Sequence, residues 1–169
     1  MRELRPLDSQ ILLELMKNAR ISDRKLAKVL GVSQATVSRR RALLERDLID
    51  GYTTIPKWSR LGYEILAVTL VKTPLKWASN QKRKDAADRA RTWLANQHNV
   101  VMGSECRGLG MTGMMISFHK SYTDLDDFLN AHREQLGDFL DDVQTIVVNL
   151  AGEAVYRPLH FKYLAQAET

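Results

Sequence analysis

Cysteine is nearly absent from this 169-residue chain, and the one thiol, Cys106, rules out an internal disulfide and any Cys-rich zinc site. Long apolar runs are missing too. No stretch approaches the ~20 residues that a membrane span requires, and the opening MRELRPLDSQ lacks the apolar core of a signal peptide. A cytoplasmic chain with no membrane partner is expected. Histidine is sparse: His98, His119, His132 and His160 show no metal-ligand spacing, and no Ser/His/Asp set accompanies them. No metal, no cofactor and no catalytic residue are therefore expected. His132 falls on a helical apolar stripe and reads as a satisfied core residue, and His98 as the close of a helix near its negative end.

Hydrophobic residues at 44% and charged residues at 27% suit a soluble globular protein. The net charge of +5 is unevenly placed. Residues 1–60 hold 13 Lys/Arg against 7 Asp/Glu (+6), and residues 61–169 hold 12 against 13 (−1). A basic half attracts polyanions by counterion release, so the first third of the chain points to nucleic acid and the remainder to another task.

That basic third contains ISDRKLAKVLGVSQATVSRRRALLERDL. A helix over Asp23 to Leu30 places Leu26, Ala27 and Leu30 inward; Gly31 suits a left-handed corner, Val32 fills the gap, and Ser33 caps a second helix ending near Asp47. The small Ala27, Gly31 four residues on and Val37 six further have the spacing of a helix-turn-helix. Its outer face offers Ser33, Gln34, Thr36, Ser38 and Arg39 to base edges and nearby phosphates of double-stranded DNA, with Arg40 and Arg41 assigned to the backbone. The bland alternative is an α-hairpin with a solvated basic face. Ahead of it, Leu7 to Asn18 reads as a first helix, capped by Asp8 and striped by Ile11, Leu12, Leu15 and Met16, with Ile21 as a staple under the next. The DNA-binding domain is set at residues 1–48.

Ile49 to Ile55 alternates as a strand would, and Pro56 to Gly62 reads as a hinge, giving a linker at residues 49–62. Residues 63–169 then run strand (Glu64–Thr73), helix (Asn80–Gln97), strand (Val100–Arg107), strand (Met114–His119), helix capped by Thr123, and strand (Val143–Leu150). The run Lys82, Arg83, Lys84 reads as a solvated helix face. This βαββαβ order is that of a ferredoxin-like sheet, so the fold class is α+β: a three-helix helix-turn-helix domain joined by a strand and hinge to a ferredoxin-like domain. Such a sheet leaves one face bare, and a second copy of the chain is the simplest cover. The apolar tail Ala154 to Leu164 is expected to dock. Gly108-Leu109-Gly110-Met111-Thr112-Gly113 spells G-x-G-x-x-G, but a strand rather than a helix follows, which favours a hairpin over a nucleotide site.

The chain resembles the Lrp/AsnC, or feast/famine, transcription regulators. The segment from Leu7 to Ile55 carries the resemblance: the acidic first helix, R-I-S before the second, the G-V-S turn, and L-E-R ahead of I-D-G-Y. The resemblance implies homodimers built through the second domain, higher homo-oligomers, and a small-molecule effector bound between those domains. Gly108, Gly110, Met111, Thr112 and Gly113 are the expected effector-lining residues. Three features depart from the family pattern. Arg41 stands where the family has an apolar residue, and should snorkel or pair with Glu45 or Asp47. No acid lies between Glu105 and Asp124, which removes the partner an amino-acid ammonium would use. The connection Pro74 to Asn80 is long and basic. Sirohaem decarboxylases share the two-part layout and give the rival enzymatic reading, and a third class is an oligomeric small-molecule binder with a vestigial DNA domain. The polar, arginine-bearing second helix favours a non-enzymatic regulator.

Overall fold

A computed structural model describes residues 4–74, 76–77, 79–151 and 155–166. The chain divides into two compact units, Met1–Ile55 with Arg157–Thr169, and Pro56–Tyr156. The division falls inside the expected linker, but the C-terminal segment joins the first unit, whereas the sequence reading put it with the sheet.

The first unit is built on α1 (Pro6–Lys17), α2 (Asp23–Leu30) and α3 (Gln34–Asp47). Ile11, Leu26 and Val37 are fully buried, and Leu15, Ile21, Ala27 and Leu44 complete the cluster with Leu7, Leu30, Val32 and Ile49 against it. Each helix thus spends its apolar stripe on one shared core. Ser22 and Ser33 cap α2 and α3 by accepting from the N–H groups of Lys25 and Thr36. Gly31 adopts φ 67°, and Val32 N–H donates back to the Ala27 carbonyl at 3.1 Å, closing the corner. Phe161–Gln166 forms a short 3₁₀ stretch packed on α1, with Ala165 fully buried. Leu159, Phe161 and Leu164 stay exposed, so only part of the expected docking occurs within one chain; Ala154 lies outside the described residues.

The second unit is a four-stranded antiparallel sheet in the order β2-β3-β1-β4, with β1 (Ile65–Lys72), β2 (Val100–Gly108), β3 (Met111–His119) and β4 (Asp142–Asn149). Helices α4 (Asn80–Ala95) and α5 (Tyr122–Leu136) supply the crossovers. Ile65, Ala67 and Met115 pack with Trp93, Leu125, Phe128 and Leu136 on the helix side. Alternation sends Leu66, Val68 and Leu70 to the opposite face, beside Ile116, Ile146 and Val148 in register. Ile146 is 54% and Met102 48% exposed there, which is the bare apolar face that the βαββαβ order implies. One end is covered from within the unit, where Trp58 stacks on Phe118 at 4.2 Å.

Several local expectations are corrected. Pro6 opens α1 with Arg5 at its N-cap; Asp8 lies inside the helix and is buried. Proline's fixed φ starts the helix, which frees the carboxylate for a tertiary partner. No strand forms over Ile49 to Ile55, because this segment has no neighbouring strand to pair with among the described residues of a single chain. Ser121, not Thr123, caps α5, and Asp124 takes the Lys120 N–H. The third strand begins at Met111 because Leu109 and Gly110, both at positive φ, make a two-residue hairpin turn. That hairpin replaces the strand-to-helix turn a dinucleotide site needs. His132 is buried as expected, but its Nδ1 has no hydrogen-bond partner.

Candidate nucleic-acid interface

The site follows from how α3 is held. Val37 and Leu44 anchor it in the core, so the residues between them are fixed in azimuth. Gln34 and Arg39 are exposed and have no hydrogen-bond or ion-pair partner among the described residues. Ser33 and Thr36 are tied to each other at the cap, their hydroxyls 2.8 Å apart, and Ser38 donates to Asp23 at 2.6 Å. Their oxygens keep spare lone pairs, but their positions are set by the protein.

The next two arginines serve the fold. Arg40 Nε donates to Asp8 Oδ1 at 2.6 Å and its Nη2 to Asp8 Oδ2, a bidentate clamp of α3 on α1. The Asp8 hydrogen bond raises the Arg40 pKa further above its ordinary value, against the desolvation that would lower it. Arg41 donates to Glu45 Oε1 at 2.9 Å, Asp23 Oδ1 at 3.1 Å and the Ile21 carbonyl at 3.1 Å, with its guanidinium 5.5 Å over the Tyr52 ring. Burial works to lower its pKa, and the hydrogen bonds to Glu45, Tyr52 and Asp23 outweigh it. Tyr52 donates to Glu45 at 2.8 Å, so the same carboxylate serves both and its pKa is lowered, by Tyr52 first and Arg41 second. Pairing with Glu45 was readable from the i,i+4 spacing; pairing of Arg40 with Asp8, 32 residues away, was not.

In the sheet unit, Gly108 and Gly110 sit at the hairpin tip while Met111, Thr112 and Gly113 line a cleft of about 840 Å³ beneath α4. Thr112 Oγ1 accepts from the Thr73 N–H at 2.9 Å and pins the start of the long connection to the hairpin. Sequence reasoning did not find the cleft's other wall on α4. The run of Ala86, Ala87 and Ala90 was the available signal. Of the histidines, His119 is fully buried against Ser117 Oγ at 2.8 Å. Burial lowers its pKa and that of His132. No helix among the described residues is long and apolar enough to cross a membrane.

Comparison with known proteins agrees with this geometry. The AsnC-type helix-turn-helix domain model matches residues 6–45. The leucine-responsive regulatory protein of Rhizobium meliloti (strain 1021) is 37% identical over 103 residues, 60% of this chain and 65% of that protein. The regulator LrpA of Pyrococcus abyssi is 40% identical over 67 residues, 39% of this chain and 48% of that protein. The matches therefore span about half to two thirds of these relatives. Among solved structures, E. coli AsnC superposes with a TM-score of 0.71 at 21% identity over 94% of this chain and 99% of its own. A Neisseria meningitidis transcriptional regulator in complex with L-Met gives 0.73 at 16% identity, over 86% and 90%. These likenesses establish the fold, and none of the four supports the decarboxylase alternative. Residues 6–45 match the AsnC-type helix-turn-helix domain, and the chain is similar to Lrp/AsnC transcriptional regulators in that region's sequence and in fold.

Proposed function

We propose that the chain is a sequence-specific DNA-binding transcriptional regulator of the Lrp/AsnC type, which inserts the N-terminal half of α3 into the major groove. The observation that carries this reading is the state of Gln34 and Arg39. Both stand exposed and unpaired on a helix whose other arginines are committed to acids. Gln34 suits an adenine edge and Arg39 a guanine edge, while Ser33, Thr36 and Ser38 reach phosphates or edges beside them. Arg40 and Arg41 serve the backbone only by fixing how α3 is presented.

The bare face carrying Val68, Ile116 and Ile146 takes a second copy of the chain, giving a homodimer that can assemble further. A dimer reads a near-palindromic operator with half-sites one helical turn apart or a multiple of it. The cleft lined by Met111, Thr112 and Gly113 holds a small effector. Fluorescence anisotropy with DNA from the gene's own upstream region, against an unrelated duplex at two salt concentrations, tests the reading. A preference that survives added salt supports it, and equal, salt-erased binding to both duplexes overturns it.

A further inference from the structure

The cleft beneath α4 is a consequence of small residues on that helix. Ala86, Ala87 and Ala90 line it from the helix. On the sheet side Gly103 lets Leu94 pack close, since an added Cβ would stand 3.0 Å from Leu94 Cδ1, so this corner of the cleft is closed and the open volume lies along the alanines. Larger side chains on α4 would have filled this volume as core, so about 840 Å³ is left between α4, the β2–β3 hairpin and the residues Thr73, Pro74 and Trp77. That lies within the ordinary range for small-molecule sites, roughly 300–1,000 Å³.

Its chemistry is lopsided. Leu94, Met111, Leu136, Phe139, Leu140 and the Trp77 ring give it an apolar lining. Three arginines line it, Arg83, Arg91 and Arg107, against one acidic residue, Glu105. Arg91 is paired with Asp88 at 2.9 Å, whereas Arg83 and Arg107 have no acid partner among the described residues. Two unpaired guanidiniums beside an apolar cavity form a site for an anion with an apolar body.

We infer that this cleft binds a small apolar carboxylic acid lacking an α-ammonium group, its carboxylate held by Arg83 and Arg107 and its body lying along Ala87 and Ala90. This rests on the reading of Met111 to Gly113 as part of an effector site, and is independent of whether α3 binds DNA. An amino acid would have to place its ammonium among guanidiniums with Glu105 alone to balance them, a like-charge cost that the deaminated acid avoids.

Quenching of tryptophan fluorescence on the full chain, with Trp77→Phe to subtract Trp58 and Trp93, and calorimetry test the inference, with 4-methylpentanoate against leucine, 3-phenylpropanoate against phenylalanine, and isopentylamine as the cationic control. We expect each acid to bind at least about tenfold more tightly than its amino acid, and the amine not to bind. Arg107→Ala should weaken the acid about tenfold or more, and Ala87→Leu should abolish binding by filling the cleft. Melting curves check that both variants fold; if Ala87→Leu does not, Arg107→Ala and Arg83→Ala carry the test. Amino acids binding as tightly as the acids, no binding by any of the panel, or an unaffected Arg107→Ala each overturn the inference. Operator binding measured with and without the acid separates the two readings, because loss of ligand binding with intact DNA binding sinks this one alone.

Discussion

Arg39→Ala separates a helix that reads sequence from one that merely carries charge. Arg39 is exposed and makes no contact that folding would lose, and Arg and Ala have similar helix propensities, so the variant should melt with the wild type. If the guanidinium is bidentate to a guanine, its removal costs about 1–3 kcal/mol per half-site. At about 1.4 kcal/mol per tenfold, that is roughly 5- to 150-fold in Kd for each half-site, and a dimer carries two. Discrimination between operator and random DNA should fall with it. If Arg39 touches only phosphate, affinity drops about equally on both duplexes and the salt slope shallows. Arg40→Ala is the informative contrast. It leaves the buried Asp8 carboxylate without its clamp, so thermal stability of the helical unit should fall before any effect specific to DNA appears. Anisotropy titrations at three salt concentrations, with melting curves for each variant, provide the measurement. An Arg39→Ala protein that keeps wild-type affinity, specificity and salt slope would refute this placement of α3.

Gly31→Ala should destabilise the helix-turn-helix by about 1–2 kcal/mol, since φ 67° is left-handed even though the space around it is open; urea unfolding that is unchanged would contradict the corner geometry. His132→Leu removes the unpartnered Nδ1, relieving a penalty of about 1–3 kcal/mol. Burial lowers the His132 pKa in the folded state, so the wild type is fully stabilised above the ordinary value near 6.5 and loses stability as pH falls below it. The variant's advantage in melting temperature should therefore grow from pH 8 to pH 5, and parallel pH profiles would show that this ring does not titrate as described. Ile146→Asp puts a charge on the bare sheet face without touching the helix-side core; sedimentation should show the homodimer weakened or lost, and an unchanged oligomer would move the interface elsewhere.

The elements were legible where one local rule decided them. Gly31 and Ser33 declare a corner and a cap within three residues, and the turn forms there. The βαββαβ order was readable because β1 and β3 alternate between a helix side and a bare side. Legibility failed where a partner distant in sequence decided the outcome. Asp8 has the look of an N-cap, yet Pro6 two residues earlier starts the helix and Arg40 claims the carboxylate. Ile49 to Ile55 alternates like a strand, yet pairing needs a neighbour, and periodicity cannot say whether one exists. The cleft was hidden for a similar reason. Alanines on α4 look innocuous alone, and only their apposition to the β2–β3 hairpin leaves a volume beside them.

The charge pattern needs the same correction. The +6 of residues 1–60 points to a basic surface on the first part of the chain, but of the four arginines on α3, three hold acids: Arg40 with Asp8, Arg41 with Asp23 and Glu45, Arg46 with Asp47. Lys17 on α1 is likewise paired with Glu14. Asp23 binds Ser38 as well as Arg41, so α2 and α3 are locked together by the acid that opens α2. Between Leu4 and Arg60, the exposed cations without an acid partner among the described residues are Arg5, Arg20, Arg24, Lys25, Lys28, Arg39, Lys57 and Arg60, and four of these eight lie on α2 or just before it. On the proposed reading, α2 and its approach carry the largest cluster of the charge that would draw DNA. On α3, one guanidinium without an acid partner and one amide, Arg39 and Gln34, are left for the proposed base contacts. On that reading attraction and choice fall to different helices, with Asp23 tying α3 to α2 and Asp8 tying it to α1.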